Sequence, residues 1–306
     1  MESLALLVAS SMDAGTVLAI AALGLLVNER AGVVNLGAEG MMLVAAVAGF
    51  AVAVHTGSDG LALLAGAAAA ALLAIVFGAI VLWLDGNQYA TGLALSLFGS
   101  GLSAFAGMPY VQEHLGEPRH FAIPGLARVP FLGAAFGQHH PVVYGAVALA
   151  AGVWWFLFRS QPGLVLRAIG DSPQSAHALG YPVRLVRLAA IACGGALTGV
   201  AGAYASVVYT RLWVEGMIAG RGWIALALTV FASWRPGRVL LGAYLFGGMT
   251  MLQLHLQAAG VEVPSQLLTA LPYLSTIVVL AAISRNSARM RAGMPASLGK
   301  PFHPTT

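Results

Sequence analysis

The chain has 306 residues, of which 59% are hydrophobic and only 8% charged, with a mean hydropathy of +0.84. Those values exclude an ordinary soluble domain. The net charge of +4 is small, and in so apolar a chain it matters through where the basic residues fall rather than as attraction for an acidic ligand or a nucleic acid.

A hydrocarbon core of about 30 Å needs about 20 apolar residues per helix. Runs of that kind predict spans at residues 4–27, 33–54, 61–84, 88–107, 141–158, 186–208, 222–234, 239–259 and 265–283. The fold class is therefore all-α, a polytopic transmembrane helical bundle of about 8–10 spans with one short or broken helix, forming a single domain over residues 1–306. The first run has neither a basic n-region nor a small-residue cleavage pattern, which predicts a retained helix. Cys193, the one cysteine, excludes an intramolecular disulfide.

The second span opens with "ERAGVVNLGAEGMML", residues 29–43. Asn35 and Glu39 are four apart, so on a helix they share one face, continued by Met42. At helical rise Glu39 lies roughly 13 Å beyond Arg30, near the midplane. An ionised carboxylate there costs roughly 3 kcal/mol, so it needs a protein partner or a wet cavity. A capping box does not explain it, because position 38 is alanine. Three readings stand side by side: a polar clasp between helices, a lining of the substrate path, and a proton-coupling group. Gly37 and Gly40 allow a break in the helix of the kind that places helix ends at a midplane site.

"DGNQYATGLALS" leads into the fourth span, with Asn87 and Thr91 on one face and Gln88 and Tyr89 near the headgroups. Both interfacial anchoring and path lining fit Asn87 and Thr91. The segment 108–140 carries Pro109, Pro118, Pro124 and Pro130 and reads as an irregular surface cap or docking surface. His139 and His140 within it have no carboxylate or cysteine at ligand spacing, and read as solvated loop rather than a metal site.

The segment 159–187, "RSQPGLVLRAIGDSPQSAHALGYPVRLVR", predicts a short helix: Ser172 can cap it, Pro173 suits its first turn, and Gly180 can end it. Such a helix is either a solvated connector or a plug for a soluble partner. In the sixth span Gly195 and Gly199 form G-x-x-x-G, extended by Gly202, a strip suited to close helix packing. The seventh run has too few residues before "RPG" to cross regularly, and is either tilted or a re-entrant half-helix. In "MLQLHLQ", Gln253 and His255 are candidates for the mouth of a path, or ordinary interfacial polarity.

Nine crossings put the termini on opposite sides, with 11 basic residues on one face and Arg119, Arg128, Arg211 and Arg221 on the other. The positive-inside rule then places the N-terminus outside, and the tail from about 284 to 306 in the cytoplasm.

The segments "ERAGVVNLGAEGMML" and "LRAIGDSPQSAHALGYPV", the latter followed by "CGGALTGVAGAYAS", resemble the two signature regions of permease subunits of bacterial ABC importers. The branch is the one serving branched-chain amino acids, simple sugars and nucleosides, and the nucleoside-type permease is most similar. The chain departs from the common pattern at "GDSP", where an asparagine usually precedes the proline; serine keeps the capping chemistry. The resemblance implies a protein of the bacterial cytoplasmic membrane that pairs with a second, usually different, permease subunit. An ABC ATPase subunit and an external substrate-binding lipoprotein complete the importer. It also implies that Arg167, Gly170, Asp171, Pro173, Gln174, Ala176, Ala178 and Gly180 meet the ATPase.

The residues agree on one point. A P-loop needs G-x-x-x-x-G-K-[ST], and the only lysine is Lys300 in "LGKPF", so ATP and its magnesium are expected on another polypeptide. A stand-alone secondary transporter should show coupling ionisable groups in several spans, whereas only Asp13 and Glu39 read as intramembrane. An intramembrane enzyme fares worst, with no paired acids and no nucleophile beside a base in an evident motif.

Overall fold

The computed structural model describes residues 2–117, 121–122, 132–260 and 293–303, with isolated positions between 264 and 278. Among the described residues seven helices are long and apolar enough to cross a membrane. They are α1 (Glu2–Arg30), α2 (Ala38–Thr56), α3 (Asp59–Trp83), α4 (Gln88–Gly107), α6 (Pro141–Arg159), α9 (Val183–Tyr204) and α11 (Pro236–Ala258). Shorter pieces fill the gaps: β1 (Phe121–Ala122), α5 (Leu132–Phe136), β2 (Gln138–His139), α7 (Gln161–Asp171), α8 (Pro173–Ala178) and α10 (Arg221–Phe231). The two strands pair antiparallel into a small hairpin at one end of the bundle. Helices α7 and α8 mark the other end. The predicted ninth span, 265–283, lies largely outside the described residues.

Helix α1 is apolar on all sides, and from Val17 to Val27 it is buried throughout, because α6, α9, α10 and α11 surround it. Lipid removes the hydrophobic drive between helices, so close backbone approach and hydrogen bonds must hold the bundle. Gly199 shows the first: a Cβ there would lie 2.4 Å from the Gly66 carbonyl oxygen of α3. Gly195 faces α3 as well, but Gly202 turns to the Met42 carbonyl of α2, so the strip serves two neighbours rather than one. The second is seen where Ser103 donates to the Leu43 carbonyl at 3.0 Å and Ser206 to the Ala46 carbonyl at 2.8 Å.

Two crossings are broken. Helix α2 starts at Ala38, and the chain before it, from residue 31, runs irregularly through buried surroundings. Irregular backbone at that depth survives only if protein satisfies it. Here Arg187 donates from Nε to the Ala31 carbonyl (3.0 Å), Gln88 Oε1 accepts from the Val34 N–H (2.9 Å), and Ser96 donates to the Leu36 carbonyl (2.8 Å). Gln88 is therefore a buried strut, not the headgroup anchor its position suggested. The second broken crossing is the short seventh run, which is the half-helix α10 preceded by irregular chain from residue 210 that ends in turns over 215–220.

The break in α2 lies near half-depth. The Gly40 backbone packs against Ser96 and Gly99, close to the middle of α4. From there α2 runs to the hairpin end, where His55 meets Tyr110, while α10 runs the opposite way to Trp234 beside Arg30. The first turns of the two helices touch: a Cβ on Gly222 would lie 2.6 Å from the Glu39 nitrogen.

Candidate functional site

Glu39 sits where the two helix N-termini meet. Its carboxylate accepts from the Gly220 N–H at 2.7 Å and the Gly222 N–H at 2.8 Å, capping α10 from another helix. Both helices direct the positive ends of their dipoles at this point, and unpaired N–H groups of α10 find a charged acceptor. Asn35 does not share its face, since the helix begins only after Gly37. The Asn35 amide instead accepts from the Gly37 N–H at 2.9 Å and donates to the Met41 sulfur at 3.6 Å, holding the break itself.

A second carboxylate grips the far end of α10. Glu29, 2% exposed, accepts from the Thr229 hydroxyl at 2.9 Å and from the Trp234 indole N–H. Backbone at Ser233 and Trp234 is left-handed, with φ of 49° and 54°, so the helix stops there and turns the indole back toward Glu29. The two glutamates of the 29–43 segment thus clamp one half-helix at both ends. Sequence reasoning singled out Glu39 and passed over Glu29, although Glu29 opens the same motif.

On the hairpin side of this junction lies a cavity of about 590 Å³. Ser10 and Asp13 of α1, His140, and Tyr204, Tyr209 and Thr210 from the end of α9 supply its polar groups. After α9 the chain continues in a π-helical turn over Ala205–Tyr209, which re-aims these side chains. The Tyr204 hydroxyl is buried on the cavity wall beside Asp13. Arg221, first residue of α10, lies over the Tyr209 ring at 5.6 Å and links the cavity to the Glu39 junction. A space of this size with a few convergent polar groups and aromatic walls suits a small hydroxyl-rich ligand.

His140 lines the cavity, and its neighbour His139 bonds the cavity residue Asp13, so neither histidine is the solvated loop residue its position suggested. His139 is 1% exposed and bonds Asp13 through Nδ1 at 3.0 Å and the Ala135 carbonyl through Nε2 at 2.9 Å. Burial opposes a charge on this ring, but the hydrogen bonds to Asp13 and Ala135 outweigh it and raise the His139 pKa above the usual histidine value. His140 is also buried and caps α6, accepting from the Val142 N–H. The carboxylate that pairs with His139 is 126 positions away in sequence, beyond the reach of any spacing rule.

The other candidates lie apart from this cavity. Asn87 is exposed and caps α4, accepting from the Tyr89 and Ala90 N–H groups. Thr91 lines an apolar groove between α3 and α4. On α11, Met251 and Leu254 face the cavity; Gln253 is half-buried and His255, one turn after Met251, is exposed.

At the α7–α8 end, Ser172 caps α8, accepting from the Ser175 N–H, Pro173 opens it, and Gly180 at φ 86° follows it. Gln174, Ser175, His177, Ala178 and Gly180 are exposed, and Leu179 is 78% exposed. Ala176 is not presented outward. It is 4% exposed and packs with Pro173 side inward against Ile169, Val183 and Phe302. Gly170 is buried against the Arg30 carbonyl and accepts from Ser297, while Arg167 is half-buried with its guanidinium 5.0 Å from the Phe158 ring; Asp171 is exposed.

The chain is similar to a putative glucose ABC transporter permease protein of Haloferax volcanii, 42% identical over 94% of each chain. It is also similar to a guanosine ABC transporter permease protein of Bacillus subtilis, 31% identical over 98% of each, and to a nucleoside ABC transporter permease protein of Lactococcus lactis, 30% identical over 92% of each. The model of the family described as branched-chain amino acid transport system permease component matches residues 7–283, and the chain belongs to that family.

Proposed function

We propose that the chain is the membrane-spanning subunit of an ATP-driven importer and carries a neutral, hydroxyl-rich solute, a nucleoside, through the cavity above the Glu39 junction by alternating access. The observation that carries this reading is the cavity itself, whose tyrosines offer ring faces and whose Asp13, Ser10 and Thr210 offer hydrogen bonds. A simple sugar is the second reading, favoured by the 42% identical relative whose name specifies glucose.

In this reading the α7–α8 end is cytoplasmic and the N-terminus external, as the basic residues suggest. Nucleotide is hydrolysed on a partner ATPase, which engages the exposed face of α8 at Gln174, Ala178 and Leu179. Closure of the ATPase halves moves α8, and the clamped half-helix α10 transmits the movement to the cavity floor. A binding protein delivers solute from outside, and a second permease subunit completes the path.

The test is uptake by proteoliposomes. This chain alone should hydrolyse no ATP and accumulate no solute. Reconstituted with its partner subunits and binding protein, it should take up labelled nucleoside, with unlabelled nucleoside competing and hexose not. Competition by hexose alone establishes the sugar reading, and uphill uptake by the single chain overturns the ABC mechanism.

A further inference from the structure

The α7–α8 end holds a second cavity, of about 550 Å³, with a different chemistry. Among the described residues four guanidinium groups line it, from Arg30, Arg167, Arg235 and Arg238, against one carboxylate, Asp171. Arg30 closes α1, Arg167 and Asp171 belong to α7, Arg235 stands at the α10–α11 turn, and Arg238 lies in the first turn of α11. Ser233, in the same turn, adds a hydroxyl.

The described residues use little of this donor capacity. Arg30 donates to the Gly293 and Trp234 carbonyls, at 3.1 and 2.9 Å, and both Arg30 and Arg167 lie over the Phe158 ring, at 5.7 and 5.0 Å. Yet the Nε atoms of Arg30 and Arg167 are buried without a hydrogen-bond partner among the described residues. None of the four arginines forms an ion pair within 4.0 Å among those residues either. Guanidinium groups brought together this way repel one another and leave forked donors unfilled. Both faults are removed by an anion with several acceptor oxygens in a compact tetrahedral group.

We infer that this cavity binds a phosphate group, and that the bound group braces α7 against the α10–α11 turn. A phosphate ester offers three or four acceptor oxygens to arginines arriving from α1, α7 and α11. A carboxylate offers two, and would leave at least one side of the ring of arginines unfilled. Two sources carry the same chemistry: a free phosphorylated small molecule and the headgroup of an anionic phospholipid. The site is separate from the substrate cavity, so its occupancy does not depend on which solute is carried. Because it joins the α7–α8 corner to the half-helix that Glu29 and Glu39 clamp, occupancy stiffens the route by which that corner would move the cavity floor.

The test uses the full chain in phosphatidylcholine nanodiscs. Inorganic phosphate, compared with chloride at equal ionic strength, should raise the thermal midpoint, and it should do so saturably. Arg235 and Arg238 are exposed and pack no core, so Arg238→Gln and Arg235→Gln should fold normally and weaken phosphate binding about tenfold or more each. Arg238→Lys, which keeps the charge and loses the fork, should fall between. Replacing part of the phosphatidylcholine by phosphatidylglycerol separates the sources. A lipid site shows the midpoint rise with phosphatidylglycerol, and free phosphate then adds nothing. A soluble-ligand site responds to phosphate in either bilayer. The inference is overturned if neither phosphate nor phosphatidylglycerol acts beyond the chloride and phosphatidylcholine controls, or if both glutamine variants respond as the unmodified chain does. It is also overturned if Arg238→Glu releases a co-purifying ATPase while neither phosphate nor phosphatidylglycerol has an effect, because the arginines would then face acidic protein side chains.

Discussion

At the residue scale the two glutamates of the 29–43 segment explain why acidic groups persist in so apolar a chain. Each is consumed by hydrogen bonds at the ends of α10, Glu39 at its first turn and Glu29 at its last turn and just beyond it. Glu39→Gln keeps the shape but removes the charge, and it turns one acceptor into a donor that faces a backbone N–H. Charge-assisted hydrogen bonds of this kind are each worth about 1.5–3 kcal/mol. Glu39→Gln should therefore insert normally, lower the thermal midpoint by several degrees and slow uptake in the full importer. Unchanged melting together with unchanged uptake would remove Glu39 from both roles. The clasp and the path lining need not exclude each other, since Glu39 fixes the helix whose first residue, Arg221, lies over the cavity tyrosine Tyr209.

At the element scale α8 has two faces with different duties. Ala176 faces Ile169, Val183 and Phe302, so Ala176→Glu would bury a charge and disrupt the corner. Ala178 is exposed, and Ala178→Glu should leave the fold intact while obstructing any groove that receives α8. The pair is a controlled comparison. Ala178→Glu should keep a normal thermal midpoint but lose about tenfold or more of the ATPase stimulation by loaded binding protein, whereas Ala176→Glu should lose both. If Ala178→Glu retains full stimulation and co-purifies with the ATPase, α8 is a plain connector. The half-helix α10 makes the same point about elements: eleven residues cannot cross a bilayer alone, and α10 stands because turns, carboxylates and α1 satisfy what its length does not.

At the scale of the whole molecule the hairpin end and the bundle are tied by His139 and Asp13, and the tie is pH-dependent. A histidine whose pKa is raised by folding contributes stability that is complete below its unfolded value of about 6.5. That contribution is lost as pH rises through the higher folded value. Asp13 is 37% exposed, so solvent screens the pair and the effect should be under about 1 kcal/mol. Thermal midpoints of the full chain should decline slightly from weakly acidic to alkaline pH. His139→Gln, which keeps a donor without a titrating ring, should flatten that decline. An identical pH profile for the variant would show that the tie carries no charge.

Composition and run length alone determined that this is a helical membrane bundle, because burial in lipid demands about 20 apolar residues per crossing and leaves few alternatives. The sequence also marked the short seventh run, the break allowed at Gly37, and the bounds of α8, since proline, glycine and a capping serine act over one turn. It placed Asn35 and Glu39 on one helical face, and that failed because the helix starts after Gly37. The irregular backbone before it is held by Gln88, Ser96 and Arg187 from distant segments. The same limit hid Asp13 beside His139, Glu29 beside Trp234 and the convergence of four arginines, all contacts between residues far apart in the chain. Local patterns report what a residue needs, a partner for a buried charge or a donor for an open carbonyl. Only the packing of helices against one another decides which residue meets the need.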